Sequence, residues 1–163
     1  MVYEEKFIVV RIGPFDVELV PKPNWGKKVS SILGDKKWRE VRKRELERAG
    51  HACEICGYRG ESRELVCHEV WRYDDLNFIQ KLVGYKIVCR KCSLIYHMGY
   101  AASEGLADEA VRHFSKLTKV DINQARAFLN SGYRMLMSKW KERSRHEWRM
   151  DISLETAAPS SAS

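Results

Sequence analysis

The chain is 163 residues long, 44% hydrophobic and 31% charged, which is enough to bury one core, and it has no apolar run long enough to span a membrane. Its 29 Lys and Arg against 22 Asp and Glu give a formal net charge of +7 at pH 7, a balance that suits a polyanionic partner and does not by itself prove one. With no apolar targeting stretch ahead of its motifs, one intracellular domain with decorations is the expectation.

Phe7 to Val20 is rich in Val, Ile and Phe and is broken by Gly13-Pro14, which predicts two short strands around a turn. After Pro21-Lys22-Pro23, Asp35 is placed to cap a helix running to about Ala49, with Trp38, Val41 and Leu46 near one face and Gly50 as its stop. Leu65 to Trp71 and Tyr85 to Cys89 are β-prone, with a polar connection through Tyr73-Asp74-Asp75 between them, and Cys92 to Met98 reads as a short helix closed near Gly99. Ser103 to about Lys119 and Asp121 to about Arg143 carry apolar residues at helical spacing. Glu147 to Leu154 alternates Trp148, Met150, Ile152 and Leu154 with polar residues, the period of a half-buried strand, and could tie the chain ends together by pairing with the N-terminal hairpin. Residues 155–163 are small and polar and are expected to form a disordered tail.

Four of the five cysteines fall in two tight pairs, Cys53-Glu54-Ile55-Cys56 and Cys89-Arg90-Lys91-Cys92. Two C-x-x-C knuckles offer four thiolates to one tetrahedral ion, the arrangement of a structural zinc site, and such a closed site leaves no open position for catalysis. A disulfide framework fits poorly, because the count is odd and nothing suggests secretion. A thioredoxin-type motif fits poorly as well, because it stands alone rather than in pairs. The gap between the knuckles exceeds that of a zinc ribbon, and it holds Cys67-His68-Glu69, with His97 just beyond the second knuckle.

The positive charge is concentrated in two stretches. Lys36, Lys37, Arg39, Arg42, Lys43, Arg44 and Arg48 lie close together, and Arg134 to Arg149 includes Arg143 and Arg145. Each stretch alone reads equally well as a solvated helix face; together, flanking the cysteine core with Arg90 and Lys91, they suggest contacts to a nucleic-acid backbone. The five tryptophans read as packing anchors rather than base-stacking platforms.

A knuckle, a strand bearing a histidine, a second strand leading to the second knuckle and a helix carrying another histidine resemble the layout of the His-Asn-His (HNH) endonucleases. The resemblance extends to Arg48-Ala-Gly-His-Ala-Cys-Glu-Ile-Cys-Gly57, Cys67-His-Glu-Val-Trp71 with Tyr73-Asp-Asp75, Leu82-Val-Gly84, His97-Met-Gly-Tyr-Ala101, Trp140-Lys-Glu-Arg-Ser-Arg-His-Glu-Trp148 and Asp151-Ile-Ser153. It implies an α+β fold of ββα-metal type: residues 1–24 as a hairpin, 25–101 as the zinc-stabilised core, and 102–154 as a helical extension and closing strand of one domain. It further implies metal-dependent hydrolysis of DNA phosphodiesters in the cytoplasm of a bacterial or phage-infected cell.

In such a site His68 is the general base, and the residue before it, here Cys67, helps hold a divalent ion (Mg, Mn, Ni or a second Zn) together with Ser93 and His97. Cys67 stands where a hard ligand is expected, Ser93 where a histidine is, and Gly84 about where an asparagine is. Glu69, Asp74 or Asp75 would then supply the oxygen ligand that a hard cation prefers. The alternative function is a zinc-stabilised nucleic-acid-binding or adaptor module of a larger assembly that has lost catalysis, for which protein partners are expected.

Overall fold

The computed structural model describes residues 10–157 and has an α+β architecture. Strands β1 (Val10–Ile12) and β2 (Phe15–Val17) form the expected hairpin around Gly13-Pro14; Phe7 to Val9 of the predicted run lie outside the described residues. Helix α1 (Val29–Leu33) leads through Gly34 into α2 (Asp35–Arg48). Asp35 is the first residue of α2 and not its cap, so its carboxylate helps through the helix dipole. At the far end Gly50 takes a φ of 62°, and the His51 N–H donates back to the Leu46 carbonyl at 2.9 Å, which turns the chain toward the first knuckle.

Strands β3 (Leu65–Asp74) and β4 (Ile79–Cys89) form a long antiparallel pair in which His68 faces Lys86 and Leu65 faces Cys89. Both strands run further than their β-prone runs suggest, so Tyr73 and Asp74 end a strand and the connection is only 75–78. Leu65, Cys67, Trp71 and Tyr73 are buried in β3, while Val66, His68, Val70 and Arg72 are half-buried, the alternation of a strand with one core face. Helix α3 (Arg90–Tyr96) follows β4 directly. The predicted closure near Gly99 falls earlier, at His97, and α4 (Met98–Ser103) begins at once. Gly105, at φ 71°, separates α4 from α5 (Ala107–Thr118), so the helix expected from Ser103 starts four residues later.

Helix α6 (Ile122–Arg143) opens on a capping box in which Asp121 and Gln124 bond each other's backbone N–H. It meets the hairpin at Gly132, where a Cβ would overlap the Ile12 side chain. Phe15 joins the same core, edge-on to Tyr96 at 5.2 Å and beside Phe114 at 6.2 Å.

The closing segment departs from expectation. Strand β5 (Arg149–Asp151) pairs in parallel with Ile79–Lys81 of β4 instead of with the hairpin. Trp148 decides this: it is buried edge-on to Tyr73 and Phe78, and its indole N–H donates to the Arg143 carbonyl at 2.7 Å. Asn24 completes the join by donating to Gln80 Oε1 and to the Trp148 carbonyl. Residues 153–156 form α7 (Ser153–Thr156), and Glu155 pairs with Arg44 at 2.7 Å, so the start of the expected tail belongs to the fold. The remainder of that tail, 158–163, lies outside the described residues. Among the described residues no helix is long and apolar enough to cross a membrane.

Candidate metal centre and histidine cleft

The Sγ atoms of Cys53, Cys56, Cys89 and Cys92 lie within 4.8 Å of one another, and none is in a disulfide. The Cys56 and Cys89 sulfurs are 3.6 Å apart, close to the ~3.8 Å edge of a tetrahedron whose metal–sulfur bonds are about 2.3 Å. Each knuckle aims a backbone N–H at its first sulfur, Cys56 N–H at Cys53 Sγ and Cys92 N–H at Cys89 Sγ, both at 3.5 Å. Glu54 locks the first knuckle to β4, donating its N–H to the Ile87 carbonyl at 2.8 Å and accepting the Ile87 N–H at 2.7 Å. Burial pushes the Glu54 carboxyl up, but hydrogen bonds from Arg48 and Ile87 outweigh it and hold the group below its usual range.

Packed this closely, the sulfurs do not ionise alike. Hydrogen bonds from Cys89 and Cys92 lower the Cys53 thiol, whereas the same contact with Cys53 raises Cys89 to about 11 and raises Cys92 as well. The cluster does not by itself favour four thiolates, and a cation at its centre is what makes them compatible. The donor set therefore fits a metal ion such as zinc. His113 of α5 adds a contact invisible in the sequence: its Nε2 is 3.1 Å from Cys92 Sγ and can donate to a thiolate there. It lies far from both knuckles in the chain, and only the packing of α5 on α3 brings it in.

The second centre is a cleft of about 480 Å³ whose walls include His68, His97, Tyr96, Lys28 and Lys86. His68 stacks on Tyr96 at 4.2 Å, and the two imidazoles stand 5.5 Å apart, edge to face. Burial, then the charges of His97 and Lys86, lower the His68 pKa to about 3; burial and Lys28 lower His97. Both rings are thus neutral at pH 7, and His68 is a weak base unless an anion beside it raises its pKa. Trp25, 59% exposed, stacks on Trp140 at 5.6 Å beside this cleft, with both indoles donating to the Val20 carbonyl. Trp71 and Trp148 are buried anchors, as expected.

Several expected site residues are elsewhere or engaged otherwise. Cys67 lines the cleft but is buried, and burial, followed by the charge of Glu45, pushes its thiol up to about 12. Ser93 does not line the cleft: α3 ends at Tyr96, and His97, at φ −129° and ψ 54°, has left the helix, so the four-residue spacing no longer aims the two side chains together. Gly84 sits inside β4 opposite Val70, next to a register shift. Asp74 accepts the N–H groups of Leu76 and Asn77, capping the β3–β4 turn. Asp75 holds Arg143 through two bonds of 2.7 and 2.9 Å. Glu69 does line the cleft, but its oxygens accept from Val29 N–H at 2.9 Å and Trp71 Nε1 at 3.1 Å.

The basic stretches divide in the same way. Arg143 is not a surface contact: its side chain is 5% exposed, pairs with Glu18 and Asp75, and lies 4.5 Å over Tyr73. Arg42 donates to the Ser62 and Leu65 carbonyls, and Arg44 pairs with Glu155 and Glu45. Lys36, Lys37, Arg39 and Lys43 of α2, and Arg90 and Lys91 of α3, are exposed; Arg145 is exposed beside Glu142. No family model, curated protein or solved structure matches the chain.

Proposed function

We propose that the protein is an HNH-type endonuclease, pinned by one zinc at Cys53, Cys56, Cys89 and Cys92, that hydrolyses phosphodiester bonds of DNA in the His68–His97 cleft. The observation that carries this reading is the approach of the two imidazoles, from the middle of β3 and the end of α3, to 5.5 Å across one cleft beside a four-cysteine cluster. His68 accepts the proton of an attacking water, the water oxygen bonds to phosphorus, and one P–O ester bond breaks, the leaving oxygen taking a proton from solvent to become a nucleic-acid hydroxyl. The negative charge of a bound phosphodiester raises the His68 pKa from its low resting value, strengthening it as a base. Charge that builds on the phosphate oxygens needs positive groups nearby. Lys28 and Lys86 line the cleft, and His97 reaches it as a neutral hydrogen-bonding group.

A second reading, a zinc-stabilised nucleic-acid-binding or adaptor module without catalysis, is favoured by one observation. Among the described residues, the four cysteines are the only cluster of three or more His, Cys, Asp or Glu able to hold an ion. Plasmid nicking, followed in EDTA and then with Mg²⁺, Mn²⁺ or Ni²⁺, separates the two. His68→Ala is expected to abolish nicking while zinc content, fold and DNA binding persist, because it removes a proton acceptor and no zinc ligand. Nicking that survives His68→Ala puts the chemistry elsewhere, and a wild type that binds DNA but never nicks it leaves the binding module.

A further inference from the structure

We propose that the His68–His97 cleft is a phosphodiester-anion site in which Lys28 and Lys86 supply the positive charge, so that binding needs no divalent ion. The inference rests on the reading of this cleft as the place where nucleic acid is bound, and it names what holds the phosphate there. Lys86 is the cross-strand partner of His68 in the β3–β4 ladder, and Lys28 immediately precedes α1 at the cleft wall.

The charge balance of the cleft supports the assignment. Its carboxylates are already engaged: Asp16 with Arg11 at 2.9 Å, Glu18 with Arg143 at 3.0 Å, and Glu69 with the Val29 and Trp71 N–H groups. Among the described residues neither Lys28 nor Lys86 has a carboxylate within ion-pair distance, although Lys28 acts through space on Glu69 and His97, and Lys86 on His68 and Glu54. Two unpaired ammonium groups beside two neutral imidazoles make a site whose missing partner is an anion. A hard divalent cation has the opposite problem there. Its oxygen ligands would have to come from Asp16, Glu18 and Glu69, the carboxylates of the cleft, each of which is already held by Arg11, Arg143 or the Val29 and Trp71 N–H groups. A phosphodiester presents two anionic oxygens to the lysines and its esterified oxygens to His68 and His97.

The experiment uses the full chain with its zinc retained, in EDTA, and follows the ring signals of His68 and His97 by NMR. Thymidylyl-thymidine, inorganic phosphate and the uncharged methylphosphonate analogue of the dinucleotide are titrated in turn. The dinucleotide and phosphate are expected to shift both rings, and the methylphosphonate is expected not to. Dinucleotide affinity above that of phosphate assigns the site to nucleic acid; phosphate alone shifting the rings restricts it to free phosphate and overturns the phosphodiester assignment. Lys28→Gln and Lys86→Gln should each weaken binding about tenfold, with zinc content and fold unchanged because both side chains stand at the cleft surface. Ring shifts that appear only after Mg²⁺ is added, or lysine variants that bind as tightly as wild type, overturn the proposal. Failure of the nuclease reading looks different: the dinucleotide shifts both rings, yet plasmid is never nicked.

Discussion

His68 occupies a half-buried position on a strand where solvent is replaced by Tyr96 and by the edge of His97. Its pKa near 3 has a consequence for stability. In the unfolded chain an imidazole protonates near pH 6.5, so below that value the unfolded state binds a proton that the folded state refuses. Stability contributed by neutral His68 is therefore present above about pH 6.5 and is lost as the pH falls from there toward 3. Urea denaturation should show wild type losing about 1–2 kcal/mol more than His68→Gln between about pH 7 and about pH 5, and the ring should remain neutral by NMR across that range. Equal losses in the two proteins would mean that the ring is solvated. Arg143 illustrates how the same residue type can serve the fold: buried under Tyr73 and held by Glu18 and Asp75, it ties α6 to β2 and to the β3–β4 turn.

At the level of elements, the seam between α6 and the hairpin depends on a residue without a side chain. Gly132 lets Ile12 lie against the helix backbone. In an exposed helix, Gly→Ala adds roughly 0.5–1 kcal/mol of stability; here the added methyl overlaps the Ile12 side chain, and overpacking of this kind costs about 1–3 kcal/mol. Gly132→Ala should therefore destabilise the protein, and Ile12→Ala in the same chain should remove most of the penalty attributable to the overlap, as a double-mutant cycle would measure. A stabilised Gly132→Ala variant would show that the seam has slack. The helix α3 raises a related point. Its early end at Tyr96 throws His97 out of the helical register and toward His68, which is how two imidazoles separated by a long β-hairpin come to share a cleft.

For the molecule as a whole, the cysteine cluster is the point at which the turn after α2, the end of β4 and the start of α3 are held together. Binding an ion at such a centre is folding free energy, of order 10 kcal/mol in small zinc modules. Cys89→Ala, or a chelator strong enough to strip the ion, should therefore cost the β3–β4–α3 unit its cooperative fold, with one equivalent of zinc found by elemental analysis in the wild type. A folded, metal-free wild type would refute a structural role for the ion. Binding of duplex DNA should weaken with salt, and charge reversal at exposed Lys36 and Lys37 tests it more cleanly than at Arg42 or Arg44, which hold the fold.

Local chemistry made the knuckles, the two-stranded core and most helices legible in the sequence, because thiol spacing, β-propensity and helical periodicity act over a few residues. The four sulfurs converge as their spacing implied, and the Gly13-Pro14 hairpin stands where its turn residues placed it. Side-chain commitment was decided only by tertiary structure. Arg143 looks like any helix cation until Glu18 and Asp75 close on it, and Asp75 looks like a free ligand until Arg143 takes it. The parallel docking of β5 on β4 hung on the burial of Trp148, and the approach of His113, Lys28 and Lys86 to their sites on strand register and helix packing. A charge or an imidazole acts through distance in space, and distance between residues far apart in the chain is what the sequence alone does not contain.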